Sequence, residues 1–382
     1  MQSKYLLIFF YLFFSFLKTI TIFADQRIWI KNAELNNKPV KLCFDSDAEN
    51  NGICLQLAKR LGLKLNFFQT NNLSSEIVVG DTSAYLNINE NRSMIELAIL
   101  NFPYYVNADF DGIVAWSTLK ENTLQIDASE LKLNFLPRVP KQVTNWSRFF
   151  VATNSKTLVL EIPNNQGAKR TISIDTGSDW GFALPPSQWQ QWKKLHAGSP
   201  ITLKTYYAPM YGFLVTEEAW ADQIRIGPLV LTNVPIIEEP AASMAFEDNN
   251  HEGTLGLAAL KHLNLIIDGE HSIAYLQPNN RNSLAYSHNH LGAVFVPAVG
   301  HPQEGVAIVE NGSPAYEAGV RNGDILLAVD GIAVTGWSDK WLSRFILPGG
   351  TKLNLTLQRN DVKFETIATL REIIPPESPK HN

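Results

Sequence analysis

The chain has 382 residues, of which 45% are hydrophobic and 18% charged, and a formal net charge of −5. That length exceeds one ordinary domain, and that apolar content supports sizeable cores, so two or three globular units are expected. The acidic balance without a long basic run argues against a nucleic-acid surface. There is no Gly-rich, Lys-bearing phosphate loop, and the eight histidines are scattered without ligand spacing, so neither cofactor nor metal is expected.

Residues 1–24 read as an export signal. Lys4 precedes an apolar run over 5–17 that is short for a bilayer span and is broken by Lys18, and Ala24 suits cleavage. An uncleaved anchor running through Phe23 is the competing reading. Either way the chain is expected to be exported, periplasmic or secreted, with or without a membrane anchor. Cys43 and Cys54 are the only cysteines. One disulfide between them and two buried thiols both stay open, because spacing alone does not give the Cα separation a bridge demands.

Residues 25–135 form the first unit. A strand over 40–44 ends at Asp45-Ser46-Asp47-Ala48. Ile53, Leu57, Ala58 and Leu61 have helical spacing, with Gly62 as the stop. Strands are predicted over 64–68, 76–79 and 93–100, followed by Asn101-Phe102-Pro103, the apolar stretch 112–116 with Leu119, and 124–127. Residues 136–278 repeat this order. Asp175 corresponds to Asp45, Asn233-Val234-Pro235 to Asn101-Phe102-Pro103, Gly253-Thr254-Leu255-Gly256 to residues 112–115, and Asp268 to Asp127. Four landmarks in one order, with slowly growing spacing, indicate an internal duplication. In the second unit a β-branched run, Thr171-Ile172-Ser173-Ile174, delivers Asp175 into the tight turn Thr176-Gly177-Ser178. A helix is predicted over 186–195, with Pro186 near its start. Trp180, Trp189, Trp192 and Trp220 are expected in the core.

A strand ending in Asp-Thr-Gly, then a hairpin, then an apolar-apolar-Gly element leading into a short helix, resembles one lobe of the pepsin and retropepsin superfamily of aspartic proteases. Ile174-Asp175-Thr176-Gly177-Ser178 and Thr254-Leu255-Gly256 carry the resemblance in the second unit. The first unit follows by order but has Asp47 where Gly177 stands and Ala115 where Gly256 stands. The resemblance implies a mostly β fold of two lobes, the first degenerate. Asp175 and its provisional partner Asp45 would form the catalytic pair, and Thr176, Gly177 and Ser178 would brace the loop. The substrate would be a peptide or protein. Three arrangements stay open: an internal Asp45/Asp175 pair, a homodimer pairing Asp175 with its own copy, and an inactive remnant. Asp47 has two open positions, pointing inward to raise the pair further or outward to solvent. Tyr206, Tyr207, Tyr211 and Gly212, around a Pro/Gly turn, are the flap candidates, although an ordinary surface hairpin has the same signature.

Residues 279–290 read as a polar linker. Beyond them, Gly305 through Ala315 and Ala318 through Gly331 resemble a bacterial-type PDZ domain, taken as residues 291–375 with a polar tail over 376–382. Ser313-Pro314-Ala315 turns a strand into a helix, Gly319 ends that helix, and Asp330-Gly331 makes a hairpin turn. A second helix is expected over 341–345, and closing strands over 352–358 and 364–370. The resemblance implies binding of protein C-termini or internal peptides, with Leu291-Gly292-Ala293-Val294 as carboxylate loop and edge strand. The competing reading is an internal strand that takes no ligand. The first functional expectation is an exported aspartic endopeptidase carrying a PDZ domain. The second is an inactive protease-like scaffold that binds peptides through that domain.

Overall fold

The computed structural model describes residues 27–68, 78–89, 91–102, 110–162, 170–208, 212–239, 250–279, 286–298, 301–335 and 339–372. The apolar run over 5–17, Tyr211 and the tail over 376–382 lie outside them. Among the described residues no helix is long and apolar enough to cross a membrane.

The first lobe contains β1 (Ile28–Ile30), β2 (Leu42–Asp45), β3 (Gly52–Cys54), β4 (Val78–Ile88), β5 (Asn91–Leu100), β6 (Gly112–Ala115), β7 (Thr123–Asp127) and β8 (Lys132–Leu136). Helix α1 (Leu55–Leu61) ends where Gly62 takes φ 69°, a left-handed cap that glycine adopts without penalty. Helix α2 (Trp116–Leu119) follows β6 directly. The second lobe contains β9 (Ser147–Val151), β10 (Val159–Ile162), β11 (Arg170–Ile174), β12 (Phe182–Leu184), β13 (Thr202–Ala208), β14 (Gly212–Ile226), β15 (Leu229–Glu238), β16 (His251–Leu255), β17 (Leu263–Asp268) and β18 (Ile273–Pro278). Its helices are α3 (Pro186–Leu195) and α4 (Leu257–Leu260).

The duplication is visible in the pairing. In lobe one β2 runs parallel to β6, β6 pairs antiparallel with β3, and β3 runs parallel to β5. In lobe two β11 runs parallel to β16, β16 pairs antiparallel with β12, and β12 runs parallel to β15. Each lobe thus threads its aspartate-bearing strand through the same frame, and each frame leads into a four-residue helix. The lobes join through one continuous run of strands in the order β9, β18, β17, β7, β8, β1. At its centre β7 and β17 pair antiparallel, with Leu124 opposite Ile267 and Ile126 opposite Leu265. All four side chains are buried in one apolar core that extends into both lobes, so the pair cannot separate without exposing that core. This is a mostly β architecture of two lobes built on the same strand frame.

The third unit is an α+β PDZ domain: β19 (Ala293–Ala298), β20 (His301–Val309), α5 (Pro314–Glu317), β21 (Ile325–Val329), α6 (Asp339–Leu342), β22 (Lys352–Arg359) and β23 (Val362–Thr369). Its own core centres on Phe295, Trp341, Phe345 and Leu355. Ser313 caps α5 by accepting the Tyr316 N–H at 3.2 Å, and Gly319 follows it at φ 90°. Asp330 and Gly331 both have positive φ, as the hairpin turn requires. The second helix starts and ends earlier than the sequence suggests. Among the described residues β19 pairs with β20 alone and lies at the edge of this sheet.

Candidate active site

Asp45 closes β2, and Asp175 follows β11 directly. Both sit at the ends of parallel-paired strands buried on both faces, which is why the residues before them are apolar or β-branched. The Asp175 N–H donates to Leu255 O at 2.9 Å, locking the turn to β16. The turns from the two lobes then interlock. Thr176 Oγ1 donates to Phe44 O at 2.8 Å and accepts the Ser46 N–H at 2.9 Å. Ser46 Oγ donates to Ile174 O at 2.5 Å and accepts the Thr176 N–H at 3.0 Å. These four buried bonds have pseudo-two-fold symmetry and hold the aspartate loops against each other within one chain. Ser46 is the partner that sequence reasoning passed over; its signal was its position directly after Asp45, as Thr176 follows Asp175.

The two carboxylates are solvated differently. Asp175 Oδ1 accepts the Gly177 N–H at 2.8 Å, and its Oδ2 accepts the Ser178 hydroxyl at 2.6 Å. Asp45 Oδ1 accepts the N–H groups of Asp47 and Ala48, both at 3.1 Å. Ala48 stands where Ser178 stands in the second lobe and offers no hydroxyl. Gly177 lies against Asp45: a Cβ there would fall 2.4 Å from Asp45 Oδ2, so only glycine lets the loops close. Asp175 is 2% exposed and Asp45 5%. Burial pushes the Asp175 carboxyl well above its ordinary range, the charges of Asp45 and Asp47 push it further, and the bonds from Ser178 and Gly177 oppose the rise.

The two departures of the first lobe resolve differently. Asp47 is 2% exposed and has no left-handed φ, so it is turned inward and adds a third buried carboxylate to the site. Ala115 is accommodated. Gly256 is needed in lobe two because a Cβ would meet Trp180 Cδ1 at 2.2 Å. The counterpart of Trp180 in lobe one is Asn50, and the neighbouring Asn51 accepts the Ala115 N–H on its Oδ1 at 3.0 Å.

The flap candidates lie on a real hairpin: β13 pairs with β14 from Thr202–Glu218 to Ala208–Gly212. Tyr211 lies outside the described residues, and of Tyr207 and Gly212 only the strand pairing is described. Tyr206 faces the interior, 4% exposed and edge-on to Trp180 at 5.6 Å. Phe213 instead packs on the apolar cluster of lobe one that includes Cys43, Ala98 and Phe110. The hairpin therefore bridges the lobes through a residue the sequence did not single out. At its base Lys204 Nζ lies 3.2 Å from Asp179 Oδ1, one residue beyond Ser178, and donates to Tyr286 OH at 2.7 Å. Tyr286 OH in turn donates to the buried Glu218. Trp189 is fully buried in the core, as expected, whereas Trp220 is only half-buried and sits 6.5 Å from Tyr286.

A disulfide between Cys43 and Cys54 is not formed. Cys43 Sγ points to Gly112 O at 3.6 Å and Cys54 Sγ to Phe110 O at 3.2 Å, and burial pushes both thiols up to about 12.

At the PDZ edge, Leu291, Gly292, Ala293 and Val294 are all buried. Asn289 caps the loop expected to hold a carboxylate. Its Oδ1 accepts the N–H groups of Leu291 at 3.0 Å and Gly292 at 3.3 Å, while its Nδ2 donates to Ala293 O at 2.7 Å. Residues 286–290 also lie on the flap hairpin, where Thr202 Oγ1 donates to Asn289 O at 2.6 Å and Asn289 Nδ2 to Leu203 O at 3.1 Å.

A PDZ-domain family model matches residues 305–359, which places the C-terminal unit in that family. No curated protein matches the chain in sequence. Two solved structures show local likeness. One is an aminopeptidase N family protein from Idiomarina loihiensis, 22% identical with a TM-score of 0.20 over 24% of this chain and 15% of that one. The other is the retroviral protease-like domain of Ddi1 from Leishmania major, 18% identical with a TM-score of 0.23 over 29% of this chain and 95% of that one. Neither likeness extends to an overall fold.

Proposed function

We propose that the chain is an exported aspartic endopeptidase whose catalytic pair is Asp45 and Asp175, with a PDZ domain that engages peptide or protein termini. The observation that carries this reading is the closure of the two aspartate loops on each other through Ser46, Thr176 and Gly177. Two neighbouring carboxylates cannot both ionise, so the pair holds one proton. Asp175, raised by burial and by Asp45, keeps that proton and polarises the scissile carbonyl. Asp45 then takes the proton of the attacking water as general base. The apolar run over 5–17 supports export.

Asp47 favours a second reading, a protease-like scaffold without activity, because a third buried carboxylate works against an ionised partner. The test compares the purified chain with Asp45→Asn and Asp175→Asn on a denatured mixed-protein substrate from about pH 3 to about pH 7, with mass followed by light scattering. Loss of cleavage in both variants of a monomer supports the internal pair. Loss in Asp175→Asn alone, in a dimer, assigns the pairing to two copies. A wild type that cuts nothing overturns the protease reading and leaves the scaffold.

A further inference from the structure

Away from the aspartate loops, three ligand-type side chains converge where residues 286–290 meet the end of the PDZ sheet. His288, His290 and Glu372 each present one donor atom, and these atoms lie within 4.8 Å of one another. His290 is 7% exposed. Its Nδ1 meets Leu347 O at 2.6 Å, and only a donated Nδ1–H makes that contact favourable. In the neutral ring this leaves the Nε2 lone pair facing Glu372 Oε2, 3.2 Å away. The two atoms make no hydrogen bond. A lone pair held against a carboxylate oxygen is relieved by a positive charge there, a bound metal ion or the proton of an imidazolium. The separation suits the metal ion: two ligands at about 2.0–2.2 Å on a tetrahedral ion stand about 3.3–3.5 Å apart. His288 completes the set. Both its ring nitrogens are buried without a hydrogen bond, and its ring packs edge-on to His290 at 4.7 Å. Glu372 is anchored from the other side, its Oε1 accepting the Gly349 N–H at 2.8 Å. An oriented histidine and an oriented carboxylate are how metal ligands are positioned.

We propose that His288, His290 and Glu372 form a Zn²⁺-class metal site that ties the strap over 286–290 to the end of the PDZ sheet. Two imidazoles and one carboxylate select a borderline transition metal over Mg²⁺ or Ca²⁺, which take all-oxygen shells. Among the described residues there is no fourth protein donor in the cluster, and Glu372 is half exposed, so water completes the shell. The signal in the sequence was a histidine pair two residues apart, His288 and His290.

The experiment is calorimetric titration of the purified full chain with ZnCl₂, with MgCl₂ as control and Co²⁺ as an optical probe. Wild type is expected to take up one Zn²⁺ per chain, to ignore Mg²⁺, and to give the visible bands of a tetrahedral Co²⁺ site. His288→Asn and Glu372→Gln, chosen because both side chains are less buried than His290, should each weaken Zn²⁺ binding at least about tenfold and abolish the Co²⁺ bands. Circular dichroism confirms that both variants fold. No stoichiometric Zn²⁺ uptake by wild type, or uptake unchanged in the two folded variants, overturns the site.

Discussion

Asp47 decides how the site titrates. It is buried beside a carboxyl that burial and Asp45 already hold above its ordinary range, and its charge raises that carboxyl further. A carboxyl raised in the folded state favours folding below its unfolded value near 4 and loses that stability as pH climbs through the folded value. Asp47→Asn removes one like charge and lowers the Asp175 value. The alkaline limb of the cleavage profile should move to lower pH, and stability at neutral pH should rise by about 1–2 kcal/mol, with no gain near pH 4. Activity profiles and urea unfolding at the two pH values check this; a limb that stays put removes Asp47 from the electrostatics of the pair. Gly177 is the opposite kind of residue, needed for what it lacks. A Cβ 2.4 Å from Asp45 Oδ2 would meet only the Asp45 carboxylate, itself held by the Asp47 and Ala48 N–H groups. Gly177→Ala should lower kcat/KM at least about 100-fold by misplacing Asp45 and cost about 1–3 kcal/mol by overpacking. Preserved kcat/KM in a folded variant would mean that the loops do not close in this way in the active protein.

The aspartate loops work as one element made from two distant pieces of chain. Ser46 and Thr176 each satisfy the other's buried backbone N–H, so removing one hydroxyl strands a donor in the opposite lobe. Ser46→Ala and Thr176→Val should each destabilise by about 1–3 kcal/mol. Their effects should be non-additive, with a coupling of about 0.5–3 kcal/mol in a double-mutant cycle; additive effects would mean that the loops are held independently. Much of this element was legible in the sequence. The β-branched run, the tight turn and the repeated landmarks located both aspartates and both frames, because buried strands and glycine turns leave local signatures. The reciprocal bonding left only a Ser beside an Asp, which is common in any turn. Ala115 read as a departure from the frame, since the bond that its N–H makes to Asn51 Oδ1 joins residues far apart in sequence. The flap hairpin was visible as aromatics around Pro and Gly. Which aromatic packs inward and which crosses to the other lobe depends on the strand register against β14 and on the lobe opposite, and neither is written locally. Residues 279–290 read as a linker because they are polar. Among the described ones, Tyr286 and Asn289 bond across to the β13–β14 hairpin.

At the scale of the whole molecule, the strap over 286–290 links the units in space. It bonds to Lys204 at the base of the flap hairpin, to Leu203 within it, and to the amides that open the PDZ edge strand. Those amides, on Leu291 and Gly292, are the donors a peptide carboxylate would use. In this arrangement Asn289 occupies them as a ligand would, with its oxygen on the two N–H groups and its nitrogen on the first carbonyl of the edge strand. An incoming peptide must displace it, and the apparent affinity is reduced by the fraction of molecules in which Asn289 is already seated. Asn289→Ala removes both the competing oxygen and the competing donor while leaving the backbone of the loop in place. Binding of labelled peptides with free carboxyl ends, followed by fluorescence polarisation on the full chain, should tighten at least about tenfold if the seated state exceeds about nine-tenths of molecules. Peptides amidated at the C-terminus serve as the control and should gain nothing. Equal gains for both kinds of peptide would mean that the variant opens a general surface. Unchanged binding of either would mean that the PDZ edge is a docking strand for its own protease lobe, held there by the same strap.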